Sequence, residues 1–124
     1  MPYTLETREK FDILKPDANF DFNEISPVAE ENLQNGRSLI LDLSSVSHLT
    51  NQHMDTLVQW HNEMYQNDLS FALCQLQEHV KPTWQSHAES DTLNLTPTLI
   101  EAIDLVSMEG LEREFLNEDF SDDL

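Results

Sequence analysis

At 124 residues the chain is the right size for one domain with one core. Its formal net charge of −18, from 24 acidic residues against 6 Lys plus Arg, would be repelled by a phosphate backbone or an anionic membrane surface, which excludes nucleic acid as an expected partner. A single cysteine, Cys74, excludes an intrachain disulfide framework, and a hydrophobic share of 39% excludes a wholly disordered chain.

Tyr3–Thr7 and Phe11–Leu14 are short β-favouring runs, read as two strands of a hairpin, the second stopped by Pro16 and Asp17. In FNEISPVAEENLQNG, Ile25, Val28, Ala29 and Leu33 recur at helical spacing, with Asn23 or Ser26 as N-cap and Gly36 ending the helix in a left-handed conformation. SLILDL is a near-continuous apolar run, as in a central strand buried on both faces. A helix then begins near Thr50 or Asn51, carries Met54, Leu57, Val58, His61, Met64 and Tyr65 on one face, and ends near Asn67. LSFALCQL is the next buried strand, with Cys74 as a small core residue.

Gln77–His87 reads as a shorter helix with Val80 and Trp84 inward and Pro82 in its first turn, and Thr92–Leu95 as a short edge strand. Thr98 and Glu101 form a capping box for the last helix, whose apolar stripe is Leu99, Ala102, Ile103, Val106, Leu111 and Phe115. The remainder, 117–124, is an acidic tail expected to be disordered, which puts the domain at 1–116. This order predicts an α/β fold with a mixed sheet of about four or five strands and about four helices. The first residues, MPYTLETREK, contain no apolar signal-peptide core, and no apolar run is long enough to cross a bilayer, so the expected location is the cytoplasm. Acid recurs in LETREKFD, VAEENLQ, LIEAID and EGLEREFLNED, a pattern of solvated helix faces that also suits a basic protein partner.

Two glycines in the whole chain exclude a glycine-rich phosphate loop and a nucleophile elbow, and one cysteine excludes a paired-cysteine metal site. A metal would need three or four of His48, His53, His61, His79 and His87 to converge, and their spacing matches no ligand pattern. His48 and His53 read as surface histidines and His61 as a hydrogen-bonded residue at the core edge. Asp42, at the end of a buried strand, reads as a cap of the following loop. No cofactor, metal or catalytic group is expected.

The stretch LILDLSSVSHLTNQHMDTLVQW resembles the STAS domain, the fold of anti-sigma-factor antagonists. Asp42-Leu43-Ser44-Ser45-Val46 is similar to the family's Asp-Leu-Ser-Gly-Val, and Met54, Leu57 and Val58 fall on its apolar helix positions. QLQEHVKPTW resembles the family's next loop and helix start, and LTPTLIEAIDLV its final helix. The family's Asp-Ser-Ser-Gly becomes Thr50-Asn51-Gln52-His53, so the hydroxyls that a kinase phosphorylates in family members fall on two amides. Thr50 is the one hydroxyl left as a possible phosphoacceptor, and His53 in place of glycine thickens the helix start.

The resemblance implies a non-enzymatic regulator that docks on a cytoplasmic protein, such as an anti-sigma factor or a serine kinase of that class. Thr50, Asn51, Gln52 and His53 would make the contacts, with Thr56 and Trp60 beside them. An accessory subunit of a transport complex is the alternative the family allows. A small-molecule or metal site built from Asp42, His48, His53 and Asp55 is a further one, and it requires those side chains to converge. Homodimerisation is left open.

Overall fold

The computed structural model describes residues 3–122, with side chains described through residue 116. Its strands are β1 (Tyr3–Thr7), β2 (Phe11–Pro16), β3 (Ser38–Asp42), β4 (Phe71–Cys74) and β5 (Asn94–Thr96). Its helices are α1 (Phe22–Gln34), α2 (Asn51–Gln66), α3 (Lys81–Ser86) and α4 (Leu99–Asp122). The strands form one sheet in the order β1-β2-β3-β4-β5, with β1 antiparallel to β2 and every other pair parallel. The expected central pair is thus present: β3 and β4 are parallel neighbours with α2 between them in the chain.

Side chains alternate across a strand, so the register sorts the apolar residues into two layers. Leu14, Leu41, Leu73 and Leu95 lie in one cross-strand row and pack with residues of α1, α2 and α3. The next row, Ile13, Ile40 and Ala72, faces the other way and packs, with Cys74, against Ala102 and Val106 of α4. Every residue of β3 and β4 is buried. Cys74 has no exposed surface, and burial, reinforced by the negative Asp42, pushes its thiol up to about 12.

Buried polar groups near the start of the sheet are paired, save the Ser70 hydroxyl, which has no partner among the described residues. The Asp12 carboxylate is held by Arg37, whose guanidinium also donates to the carbonyls of Arg8, Glu9 and Phe11. Asn32 donates to the Ser38 carbonyl at 3.1 Å, and the Ser38 hydroxyl accepts from the Ser70 amide at 2.9 Å. These bonds tie the end of α1 to the start of β3 and β4.

Several element ends differ from those the sequence suggested. The N-cap of α1 is Asp21, which accepts from the Asn23 amide, while the Ser26 hydroxyl turns back onto the Phe22 carbonyl instead of capping. The expected Gln77–His87 helix is broken into a 3-10 turn, Glu78–Val80, followed by α3, so that Pro82 falls in the first turn, where its missing N–H costs nothing. Leu111 and Phe115, expected on the core stripe of α4, are exposed. The backbone of α4 runs on to Asp122, past the expected boundary at 117, and the rest of the expected tail lies outside the described residues.

Two helices end in the same motif with different residues. Gly36, at φ +67, closes α1 with Arg37 N–H bonded to Asn32 O, and Asp68, at φ 60, closes α2 with Leu69 N–H bonded to Met64 O. Only glycine adopts this backbone freely. We therefore expect Asp68→Gly to raise stability by about 0.5–1 kcal/mol and Gly36→Ala to lower it by about 1 kcal/mol, both read from urea midpoints at constant slope.

Candidate functional site

The connection from β3 to α2 crosses the carboxyl end of the parallel strands, where open α/β sheets present their sites. Asp42 begins it: its carboxylate accepts from the Ser44 amide at 2.9 Å and from Gln75 at 3.3 Å, so it caps the loop as expected. Val46 and Leu49 are buried and peg the loop to the core from two points. The next loop braces it from outside. Gln77 donates to the Ser44 carbonyl at 2.7 Å, and the His79 ring meets the Ser47 carbonyl at 2.8 Å.

Thr50 is the N-cap of α2, and it forms a capping box with an unusual closing residue. Its hydroxyl accepts from the His53 amide at 3.2 Å, while its own amide donates to His53 Nδ1 at 3.1 Å. The imidazole therefore does what Glu or Gln does in an ordinary capping box. It lies flat on Phe22, with ring centroids 4.6 Å apart, and Phe22 leads on to Trp60 and Phe71. His53 is thus folded against the protein, not projected from the helix start, and the reading of it as a thickened surface is corrected. Burial, with His48 adding to it and Asp21 opposing it, lowers its pKa from the ordinary value.

Trp60 is corrected as well. It is 8% exposed and belongs to the core, because the side of α2 that carries it faces α1 and β4. What the turn does display is Ser47, His48, Asn51 and Gln52, all exposed, with Asp55 one turn further along. Thr56 is half-buried and its hydroxyl is turned onto the Gln52 carbonyl. His87 meets Asp55 at 2.7 Å from the start of the α3–β5 connection. From Leu43 to Asn62 the chain has no Lys or Arg and one acid, Asp55, so a neutral, hydrogen-bonding surface sits on a protein of net charge −18.

Asp42, His48, His53 and Asp55 do not converge: the first caps a loop, the third closes a helix, and the last pairs with His87. Among the described residues no three His, Cys, Asp or Glu side chains gather where they could hold a metal ion. His61 was expected to be hydrogen bonded, but its Nδ1 is buried without a partner while its ring packs on Tyr65 at 4.4 Å. Sequence reading did not find Gln77, His79 and His87 as parts of this site. They sit 32 or 33 residues from their partners, and only the polar run QLQEH after a buried strand hinted at them.

The family model for the STAS domain matches residues 4–102, which takes in all of the sheet but its first residue, and this turn. The chain belongs to the STAS domain family. Solved structures agree with the fold. A STAS-domain anti-sigma-factor antagonist from Planctomyces limnophilus is 16% identical, with a TM-score of 0.66 over 85% of this chain and 97% of that one. A serine-to-glutamate variant of RsbS from Moorella thermoacetica is 16% identical, with a TM-score of 0.70 over 91% and 99% of the two chains. The Thermotoga maritima protein TM1081 is 17% identical, with a TM-score of 0.72 over 85% and 94%. No curated protein matches the sequence.

In this STAS domain the capping box depends on a titratable acceptor. Protonation of His53 at Nδ1 would set an N–H against the Thr50 N–H. With its folded pKa held below 6.5, the imidazole contributes stability that is full above that value and is lost as pH falls through the lower folded value. His61, lowered by burial against the opposing charge of Glu109, contributes with the same sign. The carboxylates are common to wild type and variant, so the difference isolates His53. We expect Thr50→Ala to cost about 0.5–2 kcal/mol at neutral pH. The stability advantage of wild type over His53→Ala should shrink as pH drops from about 7.5 toward 5, measured by urea denaturation.

Proposed function

We propose that this STAS domain is a regulator of the anti-sigma-factor antagonist type, acting by protein–protein contact and not by catalysis, and docking through the turn from Ser47 to Gln52. The observation that carries the reading is the neutral, rigid surface at the carboxyl end of the sheet. Its loop is pegged by Val46 and Leu49 and braced by Gln77 and His79, and it exposes the amides of Asn51 and Gln52 at the start of α2. A preformed surface loses little conformational freedom on binding, which favours recognition over a surface that must first order itself.

Asn51 and Gln52 carry donors and acceptors but no hydroxyl, so no kinase can place a phosphate on them. Thr50 is the remaining hydroxyl of the motif, and its oxygen is engaged in capping α2. The proposed regulator is therefore always in the unmodified state at the family's positions. Binding would then be set by the partner's own state or amount. Partners in this reading are cytoplasmic proteins, an anti-sigma factor or a serine kinase of that class.

Asn51 and Gln52 are the residues to test, since His53 is structural. Asn51→Ala with Gln52→Ala should leave the urea midpoint nearly unchanged, exposed substitutions typically costing within about 0.5 kcal/mol. The same pair should weaken capture of the partner by about 1 kcal/mol or more. The check is affinity capture from the native cell with wild type and double variant side by side, followed by mass spectrometry and titration of the purified partner. Recovery of an anti-sigma factor or serine kinase that the variant loses supports the proposal. Recovery of transporter subunits instead would assign the domain to a transport complex. Equal binding by both forms would place the surface elsewhere.

A further inference from the structure

Helix α4 is apolar on two opposite sides. Ala102 and Val106 are buried against the sheet, with Leu99 and Ile103 packed beside them, and further along Glu109 and Arg113 reach Tyr65 of α2. Ile100, Asp104, Met108, Leu111 and Phe115 follow one another at intervals of four, four, three and four residues, the spacing that keeps side chains on one helix face. At 3.6 residues per turn that face points away from the sheet. Its four apolar members are 72%, 60%, 63% and 63% exposed in chain order, and Leu116 beside them is exposed too. Single exposed apolar residues need no explanation, but four on one helix face, broken only by Asp104, do.

The helix is also longer than the sheet needs. Its 24 residues span about 36 Å, against about 17–20 Å for a strand of ordinary length. Val106 is its last buried residue among those described, so most of its length projects past the core it covers. Lys10 pairs with Glu114 and keeps the projecting part beside the β1–β2 turn.

Charge says what fits this stripe. Glu101, Asp104 and Glu112, all exposed, lie on or beside it, with Glu114, already paired with Lys10, at its edge. Arg113, the one cation of the helix, is turned the other way, over the Tyr65 ring at 5.8 Å. A second copy of the chain would set acid against acid along the whole contact, and an anionic lipid surface would be repelled by a chain of net charge −18. We infer that the outer face of α4 is a second docking surface, and that its partner is an amphipathic helix with an apolar seam flanked by Lys or Arg. It lies on the sheet face opposite α1 and α2, so the protein would hold two partners at once, one at the turn and one on α4.

The test uses the full chain and a labelled synthetic peptide of about 20 residues, long enough to form a helix, with Leu at the seam positions and Lys at the flanks. A matched peptide with Glu at the flanks is the control. Fluorescence anisotropy should show saturable binding of the lysine peptide, weakened by added salt, and none of the glutamate peptide. Leu111→Gln with Phe115→Gln should lose about tenfold or more in affinity while circular dichroism and the urea midpoint stay as in wild type. Asn51→Ala with Gln52→Ala should bind the peptide as wild type does, which separates this surface from the turn. The inference fails if the lysine peptide does not bind saturably, if both peptides bind alike, or if the Leu111 and Phe115 double variant binds unchanged. It also fails if sedimentation shows a dimer that this variant abolishes, or if wild type but not the variant co-sediments with anionic vesicles, since the occupant would then be a second copy or a lipid surface.

Discussion

Burial of β3 and β4 on both faces is the constraint from which the rest of the architecture follows. A parallel pair made of Leu, Ile, Phe and Ala offers neither face to water, so the chain must supply a helical layer on each side. It does so unevenly. The leucine row takes α1, α2 and α3, whereas the opposite face, with Ile13, Ile40, Ala72 and Cys74, is covered by α4 alone. Small residues on both sides of that contact, Ala72 and Cys74 on the sheet and Ala102 on α4, let one helix come close enough to close it. The polar ties at the start of the sheet, Arg37 with Asp12 and Ser38 with Ser70, then fix where the helices leave and re-enter.

The same constraint makes the turn before α2 a rigid object. A loop at the carboxyl end of a fully buried strand cannot slide, and Val46 and Leu49 remove what freedom is left. The helix start above it is closed by an imidazole that is at once a hydrogen-bond acceptor and the outer ring of an aromatic file running through Phe22, Trp60 and Phe71. Packing, capping and display are thereby divided among neighbours in sequence: His53 and Trp60 turn inward, Thr50 holds the backbone, and Asn51 and Gln52 are left exposed at the helix start.

Period and composition made the sheet readable from sequence. SLILDL and LSFALCQL have no polar face to hide, and the recurrence of Met54, Leu57, Val58 and Met64 admits no alternative to a helix packed on one side. The left-handed turn at Gly36 and the loop cap at Asp42 were legible for the same reason, since each rests on a local property of one residue. The site was less legible because its decisive facts are not local. Trp60 looked like a neighbour of the turn along the chain, but the contact with the ring of Phe22, 38 residues away, draws it into the core. His53 looked like a bulky replacement for glycine until its ring proved to close the cap. Leu111 and Phe115 looked like a continuation of the apolar stripe, but at 3.6 residues per turn they fall on the side of α4 opposite Ala102 and Val106, where there is no core to cover.

Cys74 gives the molecule a reporter of its own opening. The thiol sits with Ile13, Ile40 and Ala72 under α4, without exposed surface, and its raised pKa leaves almost none of it as the reactive thiolate at neutral pH. A thiol reagent can therefore reach it only when α4 lifts from the sheet or the strands come apart, and the rate of labelling measures how often that happens. Because Cys74 is the chain's one cysteine, the signal has a single source. Oxidants that act on exposed thiolates would leave the folded protein unmarked, and a chain modified at this position would carry the record of having been open.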